Sequence, residues 1–176
     1  MVQFFELDVG ATISLDKELA DLKPNDVGIK FENPAVAGDT AITKDWELTR
    51  VESIRGQEAE TILEKDNPNY EAPEAGTERF LMHMKLRYIN PNDLPAWVGS
   101  FQFMALDDLG YTFQGNNIYP PRTDFWIGDT VLPGAELEGW VVVAGPKGKD
   151  HVVVEFYPFD YDYDASSQAI RYFVVK

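Results

Sequence analysis

The stretch TVLPGAELEGWVVV, residues 130–143, decides the fold of this chain. Pro133 presets φ for the first inner position of a turn, and Gly134 accepts the positive φ of the second position. The apolar run that follows has turn residues at both ends, is too short for a helix and is typical of a strand covered on both faces. We therefore predict a tight turn that leads into a central, fully buried strand.

Residues 79–90 show the clearest alternation of apolar and polar side chains. One set should face the core, and it consists of Phe80, Met82, Met84, Leu86 and Tyr88. The same period continues later in the chain and places on one face Trp97, Phe101, Phe103 and Ala105. A slip in the spacing at 49–50 predicts a β-bulge in an earlier strand.

The chain carries signals for about eight or nine short strands, without a helix between successive strands. Such an order favours antiparallel pairing in two packed layers. We predict an all-β, immunoglobulin-like antiparallel β-sandwich at residues 26–176, with a closed β-barrel as the alternative. Residues 1–25 are predicted to form an extension with a short helix that begins at Ser14 and ends before Pro24.

The segment 57–78 interrupts the strand pattern with seven acidic residues and a single lysine, Lys65. Three helix breakers, Pro68, Pro73 and Gly76, prevent any long element. We expect an inserted surface loop, with one or two helical turns at 59–65, that the fold does not require.

The formal net charge is −15, from 15 basic and 30 acidic residues, which argues against nucleic acid or an anionic membrane as a partner. Cations or basic surfaces are better matched as partners, and the competing interpretation is that the acidic surface serves solubility alone. The chain contains no cysteine, so disulfides and thiol nucleophiles are excluded. It also contains no apolar run near the ~18 residues of a membrane span, so membrane insertion by this segment is not expected.

Four turn and strand motifs carry a resemblance to a known family: VAGD at 36–39, the strand at 79–90, LDDLGY at 106–111, and LPG at 132–134 followed by EGWVV at 138–142. Together they resemble a bacterial family of immunoglobulin-like sandwich domains, of unknown function, found in secreted lipoproteins. A secreted mycobacterial antigen shares that architecture. The resemblance spans about 27–175 and implies the fold and an extracytoplasmic location, on the cell surface or secreted, rather than any chemistry.

The loop at 116–129 is rich in aromatic residues, and three of them are candidates for a ligand platform: Tyr119, Phe125 and Trp126. Flat rings on a loop can bind a sugar or a peptide. The competing interpretation is that these rings cover the open end of the sandwich.

Asp160, Asp162 and Asp164 alternate with tyrosines, so an extended backbone would place three carboxylates on one side. Carboxylate oxygens are the ligands that Ca²⁺ prefers, although the spacing is not that of an EF-hand. The alternative is a solvated acidic loop. Ca²⁺ is therefore the one cofactor that the sequence suggests.

The two histidines, His83 and His151, fall at outward-facing strand positions, which leaves little from which to build a catalytic triad or a zinc site. We predict that the chain is not an enzyme. It is expected to be a noncatalytic interaction domain for an unknown protein or glycan. The alternatives are a carbohydrate-binding module that uses the aromatic loop and, with less support, a glycosidase.

Overall fold

A computed structural model describes residues 19, 21–67, 69–90, 95–113, 127–158 and 169–176. A three-residue 3-10 turn lies at Ser100–Gln102. The regular elements are β1 Thr40–Ile42, β2 Trp46–Ile54, α1 Gly56–Asp66, β3 Thr77–Tyr88, β4 Ala96–Gly99, β5 Phe103–Ala105, β6 Gly128–Val131, β7 Glu136–Pro146, β8 Val152–Phe156 and β9 Arg171–Val175.

These strands form three antiparallel sheets, with the orders β1-β2-β3-β7, β5-β8-β9 and β4-β6. Within the described part of the chain none of the three sheets closes on itself, so a sandwich is present and the barrel alternative is not. The prediction of an all-β antiparallel sandwich is confirmed. The domain boundary at residues 25 and 26 stays a prediction.

One hydrophobic core joins the four-stranded and the three-stranded sheets. The Trp46 ring on β2 meets the Phe156 ring on β8 edge-on, with centroids 6.2 Å apart. Phe156 in turn packs against Phe103 of β5 at 5.1 Å. The five side chains of β3 that alternation placed in the core are all buried, at 5% exposure or less, which confirms that prediction.

The predicted turn before β7 forms as expected. Gly134 has a φ of 81°, and the Ala135 amide donates to the Leu132 carbonyl at 3.0 Å. The strand β7 is buried on both faces from Val141 to Gly145. Its predicted central position is wrong, however, because among the described residues β7 is the last strand of its sheet, with β3 as its one strand neighbour.

The outer edge of β7 is nevertheless occupied by groups from other parts of the fold. The Val142 amide donates to Ser100 Oγ at 3.1 Å, and the Trp140 carbonyl accepts from the Ile127 amide at 2.9 Å. Burial on both faces therefore does not require a second neighbouring strand, because the 3-10 turn and the residue before β6 can cover an edge.

The pairing of β2 with β3 shifts register between Arg50 and Glu52. The predicted bulge is therefore confirmed, one residue beyond the position that the spacing indicated. It leaves Val51 without a partner on β3. Beyond the bulge Ile54 pairs with Leu81 and packs against the smaller cluster on the outer face of the sheet.

The first half of the segment 57–78 forms the three-turn helix α1 and is not a loop. The expectation that the fold does not require the segment stays a prediction. Ala59 and Leu63 are fully buried and pack against Leu81 of β3 and Val142 of β7. These two strand residues point away from the main core. The helix therefore covers the outer face of the sheet and creates a second, smaller core.

A buried ion pair lies beside this second core. The guanidinium of Arg79 is fully buried and contacts Glu60 Oε2 at 3.2 Å, and the Tyr70 hydroxyl donates to the same oxygen at 2.7 Å. Burial, followed by the hydrogen bond to Glu60, raises the pKa of Tyr70, so this donor stays protonated at neutral pH. The network joins the helix, the segment after it and β3.

The segment before β1 is held by polar contacts to its backbone. Buried Arg171 of β9 donates to the carbonyls of Asn25 and Ile42, and the Asn25 amide oxygen accepts from the amides of Val27 and Ile42. Burial lowers the pKa of Arg171 below its usual value. The helix predicted from Ser14 onward lies largely outside the described residues and stays a prediction.

Substituting Leu63 tests whether α1 is part of the folded core. Leu63→Ala removes a fully buried side chain and should lower the free energy of unfolding by about 2–5 kcal/mol. Urea unfolding of the variant measures this difference. The matched control is Glu64→Ala, an exposed position on the same turn, for which a change within ~0.5 kcal/mol is expected. Equal stability of the two variants would contradict a packed helix.

Candidate functional site

One aromatic side chain of β4 and one of the 3-10 turn that follows it are exposed to solvent. Trp97 is 43% exposed and Phe101 is 46% exposed. Their ring centroids lie 5.8 Å apart with an angle of 55° between the ring planes. We call these two rings the aromatic platform. Leu132, directly after β6, is 61% exposed.

The exposure of Trp97 follows from the pairing of β4 with β6. Val98 of β4 and Val131 of β6 face the core, so Trp97 and its partner Thr130 face outward. The sequence pattern placed Trp97, Phe101, Phe103 and Ala105 on one face, and this is wrong, because Phe103 and Ala105 are buried whereas the other two are exposed. The 3-10 turn between β4 and β5 changes the phase, so the period of two cannot be carried across it.

The side chain of Gln102 holds the backbone under the platform. Its Oε1 accepts from the Gly99 amide at 2.7 Å, and its Nε2 donates to the Trp97 carbonyl at 3.0 Å. Gln102 is buried, and its own carbonyl accepts from the Tyr157 amide at 2.7 Å. Because these bonds are shielded from water, they fix the position of β4 relative to the turn.

Gly99 makes room for the indole of Trp97. A Cβ built at Gly99 would lie 2.5 Å from Trp97 Cη2 and 2.7 Å from Cζ2, so the six-membered ring rests on the glycine backbone. The backbone of Gly99 is extended, which any residue can adopt, so the requirement is for space alone. The indole is therefore seated before any ligand arrives.

A seated pair of exposed rings can bind a ligand at low cost in conformational entropy. Aromatic residues of this kind often dominate the binding energy of an interface. The exposed groups of the platform carry no acid, base or nucleophile, so contact with a ligand is the chemistry that they offer. The sequence signal that could have found the site is the order Trp-x-Gly-x-Phe at 97–101.

The predicted platform residues Tyr119, Phe125 and Trp126 lie outside the described residues. The predicted Ca²⁺ ligands Asp160, Asp162 and Asp164 also lie outside them. Both sites stay predictions. Over the ranges that the structure describes, no three histidine, aspartate or glutamate side chains come together as a metal site.

Both histidines have the outward orientation that the alternation predicted. His83 stacks on the Trp140 ring, with centroids 4.9 Å apart and an angle of 16°. Its Nε2 lies 3.3 Å from a Glu138 carboxylate oxygen, and its Nδ1 lies 3.6 Å from one of Glu52. His151 is exposed after the turn that precedes β8. His83 is thus enclosed by a ring and two carboxylates, without a hydroxyl to activate among these contacts.

The outer face of the four-stranded sheet beyond α1 is charged and forms an open groove of about 480 Å³. On it, the cations of the central strand β3 lie between carboxylates of its neighbours. Arg87 lies 3.9 Å from both Glu47 and Glu136, and Lys85 lies 3.5 Å from Glu138. Ion pairs as long as these add little to the stability of the fold.

Comparison with known proteins extends to the fold and not to a function. No protein-family model matches the chain, and no curated protein matches it. Its structure is similar to the crystal structure of a putative lipoprotein, ycdA, from Bacillus subtilis, with a TM-score of 0.55 and 11% sequence identity. The match covers 78% of this chain and 38% of that chain, so this chain spans well under half of it.

The yjhA protein of Bacillus subtilis is also similar, with a TM-score of 0.48 and 12% identity over 80% of this chain and 98% of that chain. The likeness to ycdA supports, at the level of fold, the resemblance to lipoprotein domains of bacteria. Among the described residues, no helix has the length and apolar character needed to cross a membrane.

The role of Gln102 can be tested by its removal. Gln102→Ala leaves the Gly99 amide and the Trp97 carbonyl without their buried partner, which should cost about 1–3 kcal/mol of stability. Hydrogen exchange at the Gly99 amide should become faster than in the unaltered protein. Thr130→Ala, at an exposed position of β6 in the β4–β6 sheet, serves as the control. Unchanged exchange at Gly99 would show that the glutamine does not hold this turn.

Proposed function

We propose that this chain is a noncatalytic, extracytoplasmic interaction domain whose immunoglobulin-like β-sandwich presents the aromatic platform to a ligand. The observation that carries the proposal is the exposure of Trp97 and Phe101 on a backbone that is already fixed. Large rings left in water forgo the stabilisation that their burial would give, and burial by a partner recovers it. The fold therefore holds a surface that gains from being covered.

The extracytoplasmic location is supported by the likeness to ycdA, which is described as a lipoprotein candidate. It is also supported by the family resemblance of the turn and strand motifs. The noncatalytic character is supported by the platform itself, whose exposed groups act through contact. A protein ligand is favoured because exposed aromatic rings are enriched where apolar side chains of a protein partner pack.

A carbohydrate ligand is the second candidate, and the seating of Trp97 on Gly99 favours it. This arrangement holds the indole in one orientation, with 43% of the residue open to solvent. A flat ring fixed in this way can stack against the apolar face of a sugar. The two candidates differ in what lies around the ring, because sugar recognition also requires hydrogen bonds from neighbouring polar groups.

Binding measurements with Trp97→Ala test the proposal. The purified chain is screened against a glycan array and a displayed peptide library, and each hit is measured again with the variant. If the platform is the binding site, loss of the indole should weaken binding by roughly 30-fold or more, which corresponds to about 2 kcal/mol. A glycan hit with this dependence would select the second candidate.

Tyr111→Ala is the matched control, because Tyr111 is 69% exposed on the turn after β5 and outside the platform. This variant should bind every ligand as the unaltered protein does. Ligands that bind Trp97→Ala and the unaltered chain equally would contradict the proposal.

A further inference from the structure

We infer that the fold binds one internal water molecule on the edge of the Arg79 guanidinium that Nε and Nη2 form. This site belongs to the buried ion pair between α1 and β3 and is separate from the aromatic platform. Three polar atoms of that ion pair are shielded from solvent and lack a hydrogen-bond partner among the described residues. Together they specify what kind of ligand the site takes.

Two of the three atoms belong to Arg79, whose side chain has no exposure to solvent. Its Nη1 contacts Glu60 Oε2 at 3.2 Å. Its Nε and Nη2 are buried, and no group in the described part of the chain accepts a hydrogen bond from them. A buried donor without an acceptor is costly, and the cost is higher on a charged group. This edge of the guanidinium therefore requires an acceptor from outside the polypeptide.

The shape of the guanidinium fixes where the ligand lies. Nε and Nη2 share one edge of the planar group and point their N–H bonds in nearly the same direction, so a single oxygen in front of that edge can accept from both. One face of the plane is already covered, because the Tyr70 ring centroid lies 5.6 Å from the guanidinium carbon. The ligand therefore binds at the edge and in the plane of the group.

The third atom, Glu60 Oε1, selects water over an ion. It is buried and receives no hydrogen bond from the described residues, whereas Oε2 of the same carboxylate accepts from Arg79 and Tyr70. An anion could accept from Arg79 but has no hydrogen to donate to Glu60 and is repelled by its charge. A cation is repelled by the guanidinium. Water both accepts and donates, and it is neutral, which suits a pair whose two charges already compensate each other.

The number of unpartnered atoms also matches a single water molecule. Buried waters make about three hydrogen bonds, typically to buried polar groups that would otherwise be unpaired. Here the two donors of Arg79 and the one acceptor of Glu60 supply that number. Since the Arg79 side chain is closed to solvent, the water can leave only when α1 or the segment with Tyr70 moves. It should therefore be long-lived.

A high-resolution crystal structure of the chain tests the inference directly. Density for one ordered solvent atom should lie about 2.7–3.2 Å from both Nε and Nη2 of Arg79. Crystals grown in NaBr separate water from a bound anion, because bromide gives an anomalous signal and water does not. An edge without density, a protein acceptor at that edge, or a bromide peak there would each overturn the inference.

Magnetic relaxation dispersion of water ¹⁷O counts the long-lived internal waters in solution. The double variant Arg79→Met, Glu60→Leu replaces the ion pair by apolar side chains of similar size, which buried pairs often tolerate, and it removes all three unpartnered atoms. Because apolar cavities stay dry, this variant should hold one long-lived water fewer than the unaltered protein. The matched control is Tyr70→Phe, which keeps the ring over Arg79 and removes only the hydroxyl bond to Glu60 Oε2. Its count should not change.

Urea unfolding shows whether the variants fold. An equal number of long-lived waters in the folded double variant and the unaltered protein would contradict the inference. Loss of the water from Tyr70→Phe alone would also contradict it, because the water would then depend on the hydroxyl rather than on the guanidinium edge. If the double variant does not fold, the density at Arg79 and the bromide comparison decide the question with the unaltered protein.

Discussion

The pairing of β3 with β7 is the interaction on which the rest of this structure depends. Eleven residue pairs join the two strands, from Thr77 opposite Pro146 to Arg87 opposite Glu136. Because side chains alternate along each strand, this one ladder supplies residues to both faces of the sheet. Phe80 and Val143 enter the main core on one face, while Leu81 and Val142 meet α1 on the other. The apolar positions of this ladder therefore supply both cores.

The aromatic platform is attached to the same ladder at its outer edge. The bond from the Val142 amide to Ser100 holds the turn that carries Phe101, and the bond from the Ile127 amide to Trp140 fixes the chain just before β6. Since β6 pairs with β4, these contacts set the position of Trp97 as well. A surface that binds a ligand by contact depends on such rigidity, because it has no chemistry with which to compensate for loose geometry.

Much of this fold could be predicted from the residues themselves. The period of two on β3 and the Pro-Gly turn before β7 are local signals, and the structure agrees with both. The end position of β7 could not be predicted, because burial on both faces is the same whether a strand or a turn covers the edge. The many acidic residues of α1 pointed to a surface loop and obscured its apolar helical face. Ala59, Ile62 and Leu63 have helical spacing, and the apolar Leu81 on the outward side of β3 indicated that something covers it.

The platform was missed for a different physical reason. The pattern Trp97, Phe101, Phe103 and Ala105 reads as one strand, and only the three-residue turn at Ser100–Gln102 shows that its two halves face opposite sides. A 3-10 turn is held by a few local hydrogen bonds and by the tertiary contacts of Gln102, which sequence periodicity does not contain. The sequence marks the turn only through Gly99, whose lack of a side chain leaves room for the Trp97 indole.

The central claim is that Trp97 and Phe101 form a fixed platform in the free protein, before any ligand binds. The most direct measurement is the set of nuclear Overhauser effects of the Trp97 ring protons in the unliganded chain. A fixed platform predicts strong effects from the protons on Cη2 and Cζ2 to the Gly99 α protons, together with effects to the Phe101 ring. Absence of these effects, or their averaging over several indole orientations, would contradict the claim.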